Sequence, residues 1–155
     1  QRTYALNDDA GLLMCRWPRG GRPEISFPYC DEVMSGFAYQ AAAHMIYEGL
    51  IDEGLTVVKA IRDRHDGVRR NPWNEFECGN HYARTMANWS VYEALCGYEF
   101  DLTGRDDSVN EHGFSVDPAL ETDEFRCFWA TGEEWGTYSQ SGADGEPDVT
   151  VLYER

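Results

Sequence analysis

The sequence predicts a mainly α-helical chain with an extended N-terminal arm and a β-rich tail. Three observations carry that expectation. Apolar residues recur at helical spacing in three segments between positions 31 and 97. The link between the first two segments, "GLID", is too short for anything but a turn between antiparallel neighbours. From Gly113 onward the texture changes to aromatic and β-branched runs split by Gly and Pro.

Residues 1–30 lack helical periodicity, and "RWPRGGRPEISFPYC" holds three prolines and two adjacent glycines. This reads as an irregular arm, with "GLLMCRW" as a short strand. A first helix is expected over 31–47, with Asp31 as N-cap and Gly49 just past its end. Val33, Phe37, Ala41 and Met45 would form its apolar stripe, and Ala38, Ala41, Ala42 and Ala43 would let a second helix come close. That second helix is expected over 52–64, ending before Gly67, with Leu55, Val58 and Ile61 as its stripe and Val57 beside it.

A third helix is expected over 80–96, stopped by Gly97. Tyr82, Ala83, Met86, Ala87, Trp89, Val91, Ala94 and Leu95 leave it little polar surface, so it should be buried on most sides. The tail offers "GFSVDP", "FRCFWAT", "WGTYSQ" and "DVTVLYE" as short strands, with "SGADGEP" as a loop and no internal repeat. Three helices of this kind do not cover one another completely. They read as an arc of a larger ring, which makes 1–155 a single partial domain: arm 1–30, helical arc 31–97 and β-rich tail 113–155. The complement would be the rest of the same domain or another chain.

Composition narrows the function. The formal charge is −15, from 28 acidic and 13 basic residues. Arg62, Arg64, Arg69 and Arg70 are the only basic cluster, and Asp63 and Asp66 dilute it. A nucleic-acid partner is therefore excluded, and neutral or cationic ligands suit the surface better. No apolar run is long enough to span a membrane. The sequence opens at Gln1 without an initiator Met, so the absence of a leader says little. Five cysteines (15, 30, 78, 96, 127) without CxxC spacing argue against a disulfide framework and for a reducing, cytoplasmic location.

The chemistry concentrates in "NPWNEFECGNHYAR", residues 71–84. Glu75 and Glu77 stand at i, i+2, on one face of an extended segment, beside Trp73. Two carboxylates near a ring that stacks on sugar is a glycosidic layout. A solvated acidic loop, or acids compensating a helix N-terminus, reads equally well. Arg84, on an otherwise apolar helix, needs a partner, with Glu75 or Glu77 nearest in sequence. That pair would be structural glue or a fixed fork for a ligand hydroxyl. Cys78 and His81 with the two acids suggest zinc, but C-x2-H lacks a second half. Cys78 and His81 also lack an orienting third group for nucleophilic catalysis. Glu32 compensates the first helix dipole or faces a cleft. His44 reads as a core or interface histidine. Trp17, Trp129 and Trp135 are sugar platforms or core, and Gly20-Gly21 is too little for a phosphate loop.

At this point the stretches "GLLMCRWPRGGRPEISFPYCDEVMSGFAYQAAAHMIYEGL", "AIRDRHDGVRRNPWNEFECGNHYARTMANW" and "FRCFWATGEEWGTYSQ" together resemble the C-terminal end of glycoside hydrolase family 116. That family includes bacterial β-glucosidases and the non-lysosomal, bile-acid-type glucosylceramidase. The similarity covers about residues 4–140, in order. It implies the C-terminal portion of an (α/α)6 barrel, a six-hairpin toroid, and a retaining mechanism on β-linked glucosides or glucosylated lipids. It also implies that the nucleophile and acid/base lie upstream, with no catalytic residue in this segment and no cofactor.

The family's sugar-holding glutamate and arginine match Glu75 and Arg84, and the glutamate of its "DEVW" element matches Glu32. Glu75 thus becomes an expected sugar-hydroxyl acceptor in place of a catalytic acid. Glu77, His81 and Trp73 remain further candidates. The family's tryptophan in "DEVW" is Met34 here, which bears on sugar and aglycone preference. The expected function is therefore a segment of a retaining β-glucosidase-like hydrolase, partnered by the rest of that enzyme. A stand-alone carbohydrate-binding or interaction module is the alternative. A zinc enzyme using Glu75, Cys78 and His81 is the third reading.

Overall fold

A computed structural model describes residues 9–71, 73–75, 80–101, 103 and 109–155. The chain divides into two compact units, Gln1–Tyr92 and Glu93–Arg155. Among the described residues, helix accounts for 29% and strand for 21%, the latter in two antiparallel sheets. The expectation of a mainly α chain forming part of an (α/α)6 barrel is therefore overturned. What replaces it is a helical hairpin wrapped by an arm in one unit and antiparallel strands in the other.

In the first unit, α1 (Ser35–Tyr47) and α2 (Ile51–Arg64) form the expected hairpin. Gly49 ends α1 at φ +78°, and the N–H groups of Gly49 and Leu50 donate to Ile46 and Met45. This is the glycine-terminated helix end that the sequence called for. The buried face of α1 is Ser35, Ala38, Tyr39, Ala42, Ala43 and Ile46. That face is rotated from the expected stripe, and Phe37 is exposed. The cause is Gly54 of α2: a Cβ there would lie 2.7 Å from Ile46 Cγ1 and 2.9 Å from the Ala42 carbonyl. The helices meet where the smallest side chains allow the closest approach. On α2, Val57 and Ile61 are buried.

The first helix was expected to begin at Asp31 and instead begins at Ser35. Residues 30–33 are held by the arm: Leu13 bridges Val33, the N–H of Met14 donates to the Glu32 carbonyl at 3.0 Å, and Cys15 N–H donates to Cys30 at 2.9 Å. Asp31 is not the cap. It pairs bidentately with Arg22, at 2.9 and 2.7 Å, and that hydrogen bond holds its carboxyl below the usual range. Further along the arm, Arg64 is buried and donates to the Ala10 carbonyl at 2.7 Å, while buried Asp9 pairs with Arg70 at 3.0 Å. The arm thus covers the hairpin's flank, a task assigned above to further helices of a ring.

The third helix is also shorter than expected. A 3-10 turn, Thr85–Ala87, precedes α3, Asn88–Cys96. Asn80 sits at φ +65°, outside the helical region, which delays the start. The expectation of burial on most sides fails as well: Tyr82, Met86 and Trp89 are exposed, whereas Val91, Ala94 and Cys96 are buried.

In the second unit, β1 (Glu99–Phe100) pairs with β2 (Phe114–Ser115). β3 (Glu124–Ala130), β4 (Glu134–Ser141) and β5 (Asp148–Glu154) form an antiparallel sheet with β4 central. Side chains alternate as a half-buried sheet requires: Cys127 and Trp129 of β3 face inward opposite Tyr138 and Gly136 of β4. Trp129 stacks on Phe114 at 4.7 Å between ring centres, and His112 adds a further ring at 5.2 Å. Tyr98 O–H donates to the Ala130 carbonyl at 2.9 Å. Gly97 stops α3 at φ +56°, where a Cβ would collide with the Asp117 carbonyl.

Candidate functional site

The site-bearing loop of the first unit is folded by local bonds. The Asn71 side-chain oxygen accepts the Trp73 N–H at 2.9 Å, an Asx turn. His65 at the end of α2 braces the same residue: its Nδ1 lies 3.0 Å from the Asn71 carbonyl. A carbonyl only accepts, so Nδ1 carries the proton. Burial pushes the His65 pKa down, which keeps the ring neutral.

This turn delivers Glu75 to the start of α1. Glu75 is 2% exposed, and its Oε2 accepts the Ser35 N–H at 2.9 Å and the Ser35 hydroxyl at 2.5 Å. Met34, at the N-cap position, provides no side-chain hydrogen bond. A carboxylate from 40 residues downstream therefore does the capping, where the helix dipole favours negative charge.

Arg84 reaches the next residue. Its stem packs on Gly36, where a Cβ would lie 2.9 Å from Arg84 Cδ. Its guanidinium sits 4.3 Å from the Tyr82 ring centre and 5.1 Å from that of Phe37. Both distances fall within cation–π range. These groups line an open concavity of about 500 Å³, completed by Gln40 from α1 and by Met86, Ala87 and Ser90.

The three residues singled out by resemblance thus converge on one short segment. Glu32 lies in it, Glu75 bonds Ser35, and Arg84 packs on Gly36. Their exposure separates them. Arg84 lines the concavity, whereas Glu75 and Glu32 are shut away from solvent. Glu75 is positioned by Ser35, and Glu77, the other acid expected as a partner for Arg84, lies outside the described residues. Met34 is likewise buried, so it forms no platform at the surface. Trp73 is 63% exposed and His81 is exposed. Glu77 and Cys78 lie outside the described residues.

Among the described residues no three His, Cys, Asp or Glu side chains form a metal-holding group. No helix among them is long and apolar enough to cross a membrane.

The sequence reading missed Phe37, Gln40 and Tyr82 as parts of the site. Tyr82 gave no usable signal, because on the helix expected over 80–96 it would not share a face with Arg84. Phe37 and Gln40 are one helical step apart on the exposed side of α1, but the rotated stripe concealed them. No family model matches the chain, and no curated protein matches it.

Proposed function

We propose that the chain supplies the sugar-holding wall of a retaining β-glucosidase-like glycoside hydrolase, with nucleophile and acid/base carried by other residues of that enzyme. The observation supporting this is the meeting of Glu75 and Arg84 on consecutive residues of α1, beside an aromatic-lined concavity. A glucose ring has apolar C–H faces and a polar rim. Tyr82 and Phe37 offer ring faces to the first, while Arg84, Gln40 and Ser90 offer polar groups to the second. A charge-assisted bond from Arg84 to a sugar hydroxyl contributes about 1.5–3 kcal/mol once water is excluded. Such remote binding helps drive the reacting ring toward an oxocarbenium-like state.

In this reading Arg84 touches the sugar. Glu75 is a positioning residue, fixing the turn of α1 on which Arg84 rests. The test is hydrolysis of an aryl β-glucoside by the polypeptide that carries this chain. The expected result is hydrolysis with retained anomeric configuration, with kcat/KM lowered roughly 10- to 150-fold in Arg84→Ala while the protein stays folded. No β-glucosidase activity, or full activity in Arg84→Ala, overturns the assignment.

One observation favours the second reading, a carbohydrate-binding module without catalysis. On the outer face of the β3–β4–β5 sheet, Phe128, Trp135 and Tyr153 form an exposed row. Neighbouring ring centres are 6.1 and 6.2 Å apart, and the Trp135 and Tyr153 rings are within 16° of parallel. If this row is a sugar platform, the chain is retarded in gels containing soluble β-glucan and Trp135→Ala abolishes the retardation. Equal mobility of both proteins removes this reading.

A further inference from the structure

A cavity of about 870 Å³ lies wholly within the second unit, and neither sugar-binding reading uses it. Phe125 of β3 lines it together with Tyr138 and Gln140 of β4, and Phe125 and Gln140 are register partners. The Phe125 and Tyr138 ring centres are 6.3 Å apart and their planes meet at 66°, so the rings make two walls of a corner. Leu120 adds apolar surface, and Asp117, Glu121 and Asp123 add carboxylates. No basic side chain among the described residues lines the space. Arg126, the neighbour of Phe125, alternates to the other face of β3.

Hydrogen-bonding capacity in this lining is one-sided. Tyr138 O–H donates to Gln140 Oε1 at 2.9 Å, and Gln140 Nε2 donates to the Ala143 and Gly145 carbonyls, each at 3.0 Å. Both donor side chains are thus spent within the fold, which leaves the Thr122 hydroxyl among a set of acceptors. A sugar is poorly matched, because its hydroxyls accept as well as donate. A metal ion is mismatched too, because the acids form no metal-holding group. Charge spread over methyl groups fits better. Aromatic faces attract such a cation, and its methyl groups need no hydrogen-bond partner.

We propose that this cavity binds a small organic cation with a methylated ammonium head, of the choline type, as a free molecule. The head lies in the Phe125–Tyr138 corner and the apolar body runs against Leu120. Asp117, Glu121 and Asp123, all exposed, balance the charge from the rim. The volume suits a small-molecule ligand larger than the head alone. The formal charge of −15 also raises the concentration of cations near the surface. The inference is independent of the sugar-site proposal, because it uses only groups of the second unit.

The experiment titrates the full chain with choline and follows backbone amide shifts by NMR, with sodium chloride of equal ionic strength as reference. The expected result is saturable shifts over residues 120–125 and 138–143 that the salt does not reproduce. The neutral alcohol in which carbon replaces the choline nitrogen should bind roughly 2- to 30-fold more weakly, and so should choline to Phe125→Leu. Should that variant fail to fold, Glu121→Gln with Asp123→Asn removes two exposed charges, keeps the shape and should weaken choline over the same range. Phosphocholine, whose phosphate meets the carboxylates, should bind less tightly than choline. Shifts no larger than those in salt overturn the proposal, as does equal affinity for the neutral alcohol or full choline affinity in the folded variants. Tighter binding of ethanolamine overturns the methylated head, and tighter binding of phosphocholine overturns the free cation in favour of a lipid head group.

Discussion

Replacing Glu75 by Gln isolates the contribution of charge at the start of α1. Gln keeps the volume, and its carbonyl oxygen still accepts the Ser35 N–H and hydroxyl. The two bonds change from charge-assisted to neutral. At about 1.5–3 kcal/mol for the former and 0.5–1.5 for the latter, the exchange costs roughly 1–3 kcal/mol. Loss of the favourable dipole interaction adds about 0.3–1 kcal/mol. The expected destabilisation of the start of α1 is therefore about 2–3 kcal/mol.

Glu75→Ala goes further. It leaves two Ser35 donors without their acceptor in a site with 2% exposure, and it opens a void, for about 4 kcal/mol in total. The chain has two units, so a global melting curve blends their transitions. Amide hydrogen exchange at Ser35 is the better assay. Each 1.4 kcal/mol of lost protection is a factor of about ten, so Ser35 should exchange roughly 30- to 100-fold faster in the Gln variant, with Ala faster still. An unchanged Ser35 rate in both variants would show that α1 does not depend on this carboxylate.

Other outcomes follow from single contacts. Gly54→Ala gains about 1 kcal/mol of helix propensity but drives a methyl into the Ala42 carbonyl and Ile46, so a net loss of about 1 kcal/mol should appear in urea titration of the first unit. Gly97→Ala combines a left-handed φ of +56° with a clash on the Asp117 carbonyl, and should cost the second unit more than about 2 kcal/mol, read by exchange of the β3 and β4 amides. His65 is neutral in the folded unit because burial lowers its pKa, while the unfolded chain binds a proton near pH 6.5. Stability should therefore be full above that pH, fall as pH drops through it, and level off below the folded pKa; His65→Asn should flatten this slope between pH 7 and 5 in urea midpoints.

The β-rich tail was legible because alternation is local. In "FRCFWAT", Cys127 and Trp129 face inward and Phe128 outward, and β2 to β5 overlap the quoted runs, β3 and β4 reaching one residue past them, while β1 lies outside every run. The helical hairpin was legible for the same reason: Gly49 and the short link act within a few residues. The start of α1 was not. Asp31 has the chemistry of a cap, but it lies in a turn, the arm bonds to Cys30, Glu32 and Val33, and the capping oxygen arrives from Glu75. Nothing near Ser35 announces either partner. The phase of the α1 stripe was hidden likewise, because Gly54 on the neighbouring helix decides it.

The ring inference failed on one assumption, that only more helices can cover a helical hairpin. Residues 9–33 supply part of that cover without regular structure. At the site, nothing in the sequence announced Ser35 and Gly36 as the neighbours of Glu75 and Arg84, and the roles of Phe37 and Gln40 required knowing how α1 is turned.

The long reach between Ser35 and its carboxylate also orders events during synthesis. The two are 40 residues apart, and a ribosome adds about 5–20 residues per second, so the serine emerges roughly 2–8 seconds before its acceptor. In that interval α1 and α2 can already associate through Gly54, because both are made first. Only the opening turn must wait. A nascent chain paused before residue 75 would hold a hairpin with a frayed beginning, and arrival of one glutamate would close it.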